Sequence, residues 1–153
     1  MPSDHFWSRF SNFLGATGLR TVGKLNAPIY RLTRGRVGGK LGKAPILLLT
    51  TTGRKSGKQR TAPVLYLADG DNFVVINTNA GNEKTPAWSL NLRADPKATV
   101  EVGSKRVEVR SRIAEGEERA ELWRRHMQQY SGWEFYESKL DREVGVFVLE
   151  PPR

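Results

Sequence analysis

The sequence predicts an α+β domain, mainly antiparallel, in which six short strands form a small β-barrel decorated by helices. From residue 45 onward, short runs of β-branched and aliphatic residues dominate the chain, which is typical of strands. Turn signals separate neighbouring runs, among them Asp69-Gly70 and Gly103-Ser104. The 153 residues suffice for one domain with a hydrophobic core, and the predicted helices lie before the strands and between the hairpins.

The chain opens with a predicted aromatic-faced helix over residues 4–14, for which Asp4 is a suitable N-cap. Phe6, Phe10, Phe13 and Leu14 have helical spacing in it, and Trp7 lies alongside them. Two interpretations stay open, because such a helix either covers the core or contacts a membrane surface or a substrate.

A second apolar helical stripe spans residues 19–34, and Pro28 is expected to kink or split it. A glycine- and lysine-rich loop follows over residues 35–43. We therefore expect two parts: an N-terminal helical segment, residues 1–44, which is expected to be mobile, and a barrel domain, residues 45–153.

Three strands are predicted next. The first is Ile46–Thr52, a buried run that Gly53 ends. The second and third are Thr61–Ala68 and Phe73–Thr78, joined by the turn at Asp69-Gly70.

The second half of the chain continues with a short helix, Ala87–Arg93, which opens after Thr85-Pro86. A two-residue turn at Gly103-Ser104 then joins two alternating strands, Thr99–Val102 and Arg106–Ile113.

The last predicted elements are a longer helix, a short helix and a strand. The longer helix starts near Glu115 with acidic residues and has basic residues in its last turns, an order that suits the helix dipole. The short helix is Trp133–Leu140 and the final strand is Val144–Leu149.

The net charge of +9 is concentrated in the first 60 residues, which carry a net charge of +11, while the remaining residues carry −2. A concentrated positive field attracts polyanions such as nucleic acid, anionic lipid or a phosphorylated small molecule. For the charges between Arg20 and Lys43, a solubilising surface is an equally good interpretation. No recognised nucleic-acid-binding motif accompanies these charges, so we expect no nucleic-acid partner.

The composition excludes several kinds of site. The absence of Cys excludes disulfides, cysteine metal sites and cysteine nucleophiles, and a histidine-rich metal site is excluded because only His5 and His126 exist. We therefore expect no metal site and no Ser-His-Asp triad. No apolar run has the length of a membrane span and no signal peptide is evident, so we expect a cytoplasmic protein.

The segment from Gly53 to Arg60 is the clearest candidate binding site. Two glycines bracket a loop between predicted strands, which lets backbone N–H groups approach a ligand closely and form an anion-binding concavity. Its cationic and hydroxyl side chains are Arg54, Lys55, Ser56, Lys58 and Arg60. It is not a Walker A loop, because the glycines are one residue too close and Gln59 stands where Ser or Thr would hold magnesium. A charged hairpin tip without a ligand is the alternative.

A protein with an anion loop and few acid–base side chains is expected to take its reactivity from a cofactor. An aromatic set offers a surface for a planar ligand, and its spacing places it on one helical face if the helix break at Ser131-Gly132 is mild: Tyr130, Trp133 and Tyr136. Ordinary core packing is the alternative role for these three side chains.

Three runs, in this order, resemble the deazaflavin-dependent nitroreductase family of actinobacteria. They are GRKSG-x-x-R-x-x-P at 53–63, EK-x-P-x-W-x-x-NL-x-A-x-P at 83–96, and the aromatic segment at 130–136. The likeness extends from about residue 45 to the C-terminus and implies a split β-barrel fold. It also implies coenzyme F-420, a deazaflavin with a phosphate and a polyglutamate tail, whose reduced form delivers hydride to quinones, nitroaromatic compounds or other conjugated acceptors.

The resemblance assigns site residues by position. The loop that holds the phosphate and tail is matched by Arg54, Lys55, Ser56, Lys58 and Arg60. The strand beside the deazaflavin ring is matched by Thr61, Ala62, Pro63, Val64 and Leu65. A second wall is matched by Ile76, Asn77, Thr78 and Asn79. The helix that completes the groove is matched by Ala87, Trp88 and Asn91. The cover over the ring, where the acceptor would stack, is matched by Tyr130, Trp133 and Tyr136.

Two positions depart from the pattern of a relative, since Asn79 replaces a Lys and Trp133 replaces a Tyr. One charge contact and the activation of nitroimidazoles therefore stay open. The resemblance leaves Tyr130, Tyr136 or solvent as the proton donor, and Thr78 as a hydrogen-bonding partner of the acceptor.

Several alternatives accompany this prediction. FMN is the alternative cofactor, and a non-catalytic carrier of F-420 or FMN is the alternative function. A homodimer is a further expectation. Peripheral membrane contact through the N-terminal helix is another, because a quinone acceptor resides in the bilayer.

Overall fold

The computed structural model describes residues 27–33, 40–41, 44–77, 85–129 and 144–152. These residues form three helices: α1, residues 27–32; α2, Ala87–Ala94; and α3, Gly116–Gln129. They also form seven strands: β1, Lys40–Leu41; β2, Ala44–Thr52; β3, Gln59–Asp69; β4, Asn72–Ile76; β5, Lys97–Val102; β6, Lys105–Ile113; and β7, Val146–Glu150. The predicted helices over 4–14 and 133–140 lie outside the described residues.

Six of the strands close into an antiparallel barrel, which confirms the predicted fold class. The order is β2-β3-β4-β7-β6-β5, and β5 pairs again with β2, while β1 pairs with the first residues of β2. A path from one paired residue to the next around the barrel starts at Asp69 of β3 and returns to β3 at Gln59. The strands are therefore staggered by ten residues over one full turn of the barrel. Closure with this stagger requires strongly tilted strands. As a result, Gln59 and Asp69 line the same cavity, whose volume is about 1090 Å³.

The interior of the barrel is filled by alternate residues of its strands, as the two-residue period of a strand requires. These inward-facing residues form one buried hydrophobic cluster, to which the strands contribute Leu47, Leu49, Val64, Val75, Val100, Val109, Phe147 and Leu149. Helix α2 adds Trp88 and Leu92 to the same cluster. The Trp88 ring meets the Phe147 ring edge-on, with 5.4 Å between their centroids, so this helix is held against the barrel core.

Helix α3 covers the outer face of β3, β4 and β7, where Leu122 packs with Leu67 and Val74. Polar side chains on its last turns also bond the strands beneath it. Arg125 donates to the carbonyl oxygen of Ala68 at 3.0 Å, and Gln129 donates to that of Tyr66 at 2.8 Å. The last turns of α3 therefore have a fixed position on β3.

Helix α1 is attached to the barrel where β2 meets β5, by Tyr30, whose side chain is fully buried. Its hydroxyl donates to the carbonyl oxygen of Ile46 at 3.0 Å and accepts from the N–H of Gly103, also at 3.0 Å. Burial raises the pKa of Tyr30, so the hydroxyl is neutral. Arg31 adds a bidentate ion pair with Glu101.

The predicted strands are present, but several of their ends differ. β3 begins at Gln59 and β5 at Lys97, two residues earlier than predicted, because pairing continues past the apolar positions. The final strand begins at Val146 rather than Val144, since Gly145 bonds Asn77 instead of joining the strand. Strand β1 was not predicted, because two paired residues need only backbone hydrogen bonds and leave no side-chain pattern.

Candidate functional site

The loop from Gly53 to Lys58 joins β2 to β3 and is closed by its own backbone. The N–H of Gly53 donates to the carbonyl oxygen of Lys58, and the N–H of Gly57 donates to that of Gly53, both at 2.8 Å. Gly57 has a φ of 70°, a conformation that favours glycine. The Oγ of Ser56 accepts from the N–H of Lys58 at 3.2 Å, so the hydroxyl also serves to close the turn.

One residue of α2, Asn91, connects this loop to the barrel. Its Oδ1 accepts from the N–H of Arg54 at 3.1 Å, and its Nδ2 donates to the Oγ1 of Thr51 at 3.0 Å. Asn91 is 4% exposed and Thr51 is 1% exposed, so the hydrogen bond between them is buried, while the bond from Arg54 is partly buried. The loop therefore has a fixed position relative to α2.

A cavity of about 240 Å³ opens between the loop and α2. Its lining residues are Gly53, Arg54, Lys55, Ser56, Arg60, Ala87 and Asn91. All of these except Gly53 were predicted as coenzyme-binding residues, so the structure brings three loop residues, one residue of β3 and two helix residues together at one place. Lys58 is exposed on the same loop but does not line the cavity.

The loop and the start of β3 concentrate positive charge, with four cations within seven residues. None of these four pairs with a described acidic residue; they are Arg54, Lys55 and Lys58 of the loop and Arg60 of β3. Elsewhere some arginines form ion pairs, such as Arg125 with Asp69, while others, such as Arg106, have no described acidic partner. Among the described hydrogen bonds, none uses the N–H of Lys55 or Ser56. The loop thus offers positive charge and backbone donors to an anion.

Strand β3 next to the loop has an open side. Residues 59–65 pair with β2, whereas the pairing with β4 starts at Tyr66. Among the described residues, the first half of β3 therefore has a neighbouring strand on one side only. Pro63 is compatible with such an edge, because it has no N–H to donate.

Successive side chains of β3 point to opposite faces of the strand, so its predicted coenzyme-binding residues fall into two sets. Ala62 and Val64 pack against the barrel core, so their side chains face inward. Thr61, Pro63 and Leu65 have the opposite parity and face outward. The Oγ1 of Thr61 lies 2.8 Å from that of Thr50 on the outer face. A ligand on that face would meet only the outward set and the backbone of the edge.

Three further predicted residues make structural contacts. Ile76 packs in the cluster beneath α3, and Trp88 packs against Phe147 in the barrel core. The Oδ1 of Asn77 accepts from the N–H of Gly145 at 2.6 Å, and Asn77 is fully buried. Their predicted coenzyme contacts stay predictions. The other predicted site residues lie outside the described part of the chain: Thr78, Asn79, Tyr130, Trp133 and Tyr136.

Sequence reasoning missed Thr51, which orients Asn91. One signal was available, because Thr51 has the same strand parity as the core residues Leu47 and Leu49. A hydroxyl predicted to face the core requires a hydrogen-bond partner. That partner, Asn91, lies 40 residues further along the chain, and no local sequence pattern identifies it.

The closed antiparallel barrel with its helices defines a split-barrel protein. A solved structure titled "Structure of F420-H2 Dependent Reductase (FDR-A)" superposes with a TM-score of 0.64 at 36% identity, covering 69% of this chain and 94% of that one. A heme storage protein from Vibrio cholerae has a TM-score of 0.56 at 13% identity, which shows a shared fold alone.

A family model described as "F420H(2)-dependent quinone reductase" matches residues 22–151, so the chain belongs to this family. A relative named F420H(2)-dependent quinone reductase, from Mycobacterium tuberculosis (strain ATCC 25618 / H37Rv), is 34% identical over 133 residues. The match covers 82% of this chain and 87% of the relative. These findings confirm the predicted family, the split β-barrel, the class of oxidoreductase that depends on reduced F-420, and F-420 as the cofactor.

Proposed function

We propose that this protein transfers a hydride from reduced coenzyme F-420 to a quinone, and that the loop beginning at Gly53 holds the anionic end of the coenzyme. The observation that supports this role is the density of positive charge, four cations within residues 54–60 and none with a described acidic partner, next to two backbone N–H groups without a described acceptor. Nitroaromatic and other conjugated acceptors are further candidates, because they accept hydride by the same chemistry.

The residues of the loop fit the anionic end of the coenzyme. Arg54 and Arg60 present planar guanidinium groups that bind carboxylate or phosphate through two hydrogen bonds, while Lys55 supplies a compact positive charge. The adjoining cavity of about 240 Å³ is smaller than the roughly 300–1,000 Å³ of pockets that enclose a whole ligand. This volume suits one end of a long molecule.

The open side of β3 is the proposed position for the flat part of the coenzyme. Its backbone, together with Thr61 and Pro63, would lie beside the ring and keep it in one orientation. When bound, the reduced coenzyme supplies two electrons and a proton equivalent as a hydride. The chain contributes positioning and exclusion of water, both of which accelerate transfer between aligned partners.

The acceptor side of the proposal rests on residues outside the described ranges. Tyr130, Trp133 and Tyr136 would stack on the acceptor, with Tyr130, Tyr136 or solvent as the proton donor and Thr78 as a hydrogen-bonding partner. His126 does not take this role, because it is buried beneath α3 and its Nε2 lies at a strand carbonyl oxygen.

Binding of FMN, or carriage of F-420 without turnover, would use the same loop. Four cations exceed what a single phosphate of FMN requires, whereas a phosphate followed by several carboxylates uses them all. This charge balance favours F-420, and turnover separates the reductase from the carrier.

The decisive experiment mixes the protein with reduced F-420 and a menaquinone analogue and follows the visible absorbance of the coenzyme. We expect oxidation at a rate proportional to protein concentration. Binding of F-420 without oxidation with any quinone or nitroaromatic acceptor would identify a carrier. Tighter binding of FMN than of F-420 would contradict the cofactor side of the proposal.

A homodimer and peripheral membrane contact complete the proposal. A related solved structure, 32% identical with a TM-score of 0.66, is titled a domain-swapped dimer, which supports the first. Among the described helices none is long and apolar enough to cross a bilayer. Sedimentation equilibrium would test the dimer, and flotation with quinone-loaded liposomes would test the membrane contact.

A further inference from the structure

We propose that Asn91 is a positioning residue that fixes the shape of the anion loop, and that Thr51 fixes the orientation of Asn91. The inference rests on the proposed function, in which this loop holds the anionic end of the coenzyme. It assigns Asn91 an indirect role and gives Thr51 a part in coenzyme affinity.

The carboxamide of Asn91 has one orientation that satisfies both partners. The backbone N–H of Arg54 can only donate, so the atom of Asn91 that faces it must be Oδ1. The Nδ2 then faces the Oγ1 of Thr51, which accepts its hydrogen bond. A rotated amide would lose both bonds inside a buried site, where unpaired polar atoms are costly.

Thr51 is not available as a binding group, because it is 1% exposed and does not line the cavity. Asn91 lines the cavity, but its Oδ1 and one Nδ2 hydrogen are used within the link. Thr51 therefore cannot touch a ligand in the cavity, and any influence on binding must pass through Asn91 and the loop.

The hydrogen bonds that join Thr51, Asn91 and Arg54 determine which backbone N–H groups of the loop remain available to an anion. With the N–H of Arg54 directed at Asn91, the next two N–H groups, of Lys55 and Ser56, are those left without a described acceptor. The second fixed point is the pair of bonds between Gly53, Gly57 and Lys58. A loop fixed at both ends binds without the cost of ordering it, which raises affinity.

The test uses Thr51→Val, which keeps the shape of the side chain and removes the acceptor for Nδ2. In fluorescence titrations with oxidised F-420, we expect binding to weaken roughly 5- to 10-fold, as for loss of one buried hydrogen bond. The KM for the coenzyme should rise by a similar factor, while kcat and the KM for the quinone analogue stay within about twofold of wild type. A merely structural role would not divide the effect in this way.

Two further variants make the link specific. Asn91→Ala should weaken binding at least as much, and adding Thr51→Val to it should cause no further loss, because coupled residues are not additive. The control is Thr99→Val on β5, which makes the same chemical change at a threonine that contacts neither α2 nor the loop in any described hydrogen bond. It should bind F-420 like the wild type.

Hydrogen exchange in the ligand-free protein gives a readout that needs no coenzyme. The amide of Arg54 should exchange faster in Thr51→Val and Asn91→Ala than in wild type. Unchanged exchange, or wild-type coenzyme affinity in a folded Thr51→Val protein, overturns the inference. If the wild type does not bind F-420, the proposed function fails, while the exchange result still decides whether Asn91 shapes the loop. If Asn91→Ala does not fold, Thr51→Val decides the question.

Discussion

The Nε2 of His126 lies 3.2 Å from the carbonyl oxygen of Val74, which connects an imidazole on α3 to a strand of the barrel. The side chain is 1% exposed, and burial lowers its pKa from 6.5 to about 4, despite the opposing effect of this hydrogen bond. The histidine is therefore neutral in the folded protein at pH 7 and donates to the strand from a buried position.

This environment predicts a loss of stability in mild acid. The pKa is lower in the folded than in the unfolded state, so between pH 6.5 and about 4 the unfolded chain binds the extra proton. The free energy of unfolding should be unaffected by this group above pH 6.5 and should fall by up to about 3 kcal/mol as the pH approaches 4.

Urea denaturation of wild type and His126→Gln over about pH 4 to 8 checks this prediction. The glutamine Nε2 can donate to the same carbonyl but does not titrate, so the difference between the two profiles should follow the histidine alone. Parallel profiles across that range would contradict the assignment.

The cationic loop predicts a salt-dependent affinity for F-420. Lys55→Ala and Arg60→Ala should each weaken binding by about 3- to 10-fold at low salt, because each removes a charge-assisted hydrogen bond. Added salt screens the interaction, so the difference from wild type should shrink. Titrations at low and high ionic strength measure both effects.

Lys105→Ala provides the matched control, since this exposed lysine begins β6 at a separate hairpin. Its affinity for F-420 should equal that of the wild type. An equal loss in the control and the loop variants would mean that only the overall charge of the protein matters.

Gly53 is required for space rather than for an unusual backbone angle. A Cβ at this position would lie 2.7 Å from the Oγ of Ser56 and 3.2 Å from the carbonyl oxygen of Lys58, which Gly53 itself bonds. Gly53→Ala should therefore distort the loop, lower stability by about 1–3 kcal/mol and weaken F-420 binding. Thermal denaturation and coenzyme titration provide the measurements.

A Cβ at Gly57 meets nothing within 4 Å, so Gly57→Ala is strained only by its positive φ. Its cost should be about 1–2 kcal/mol. Adding Ser56→Ala should restore part of the stability lost in Gly53→Ala and none of that lost in Gly57→Ala. Equal rescue of both would show that the steric argument is wrong.

The buried hydroxyl of Tyr30 predicts a measurable contribution to stability. Tyr30→Phe leaves the N–H of Gly103 and the carbonyl oxygen of Ile46 without this partner, which should cost about 1–3 kcal/mol. Tyr66→Phe is the control, because no described hydrogen bond uses the Tyr66 hydroxyl, and it should cost clearly less. Chemical denaturation of both variants measures their free energies of unfolding. An equal loss of stability in the two variants would contradict the role of the Tyr30 hydroxyl.

The sequence predicts the barrel well because each strand is bounded by a local signal. The turn at Gly103-Ser104 is where it was predicted, whereas the first turn lies one residue later, at Gly70-Asp71, because Asp69 still pairs with Asn72. Gly70 and Gly103 both have a φ of 60°. The anion loop could also be predicted, since glycines and cations between two strands are local features. Its cavity required α2, whose place beside the loop depends on long-range packing of Trp88.

The open side of β3 and the link from Thr51 to Asn91 could not be predicted from local patterns. The first depends on where β4 stops pairing, and the second joins positions 40 residues apart. Both arise only when the strands close into a ring, because closure decides which edges and which side chains become neighbours.

The attachment of α1 through Tyr30 sets a practical limit on deletion experiments. A truncated protein without residues 1–40, made to test membrane association, would also lose the cover over Leu48 and the partner of the Gly103 amide. If such a protein floated weakly with liposomes, the result would not distinguish an unstable barrel from the loss of a membrane-binding segment. The informative truncation ends before Ala27, so that the loss of the preceding segment is measured on an intact barrel.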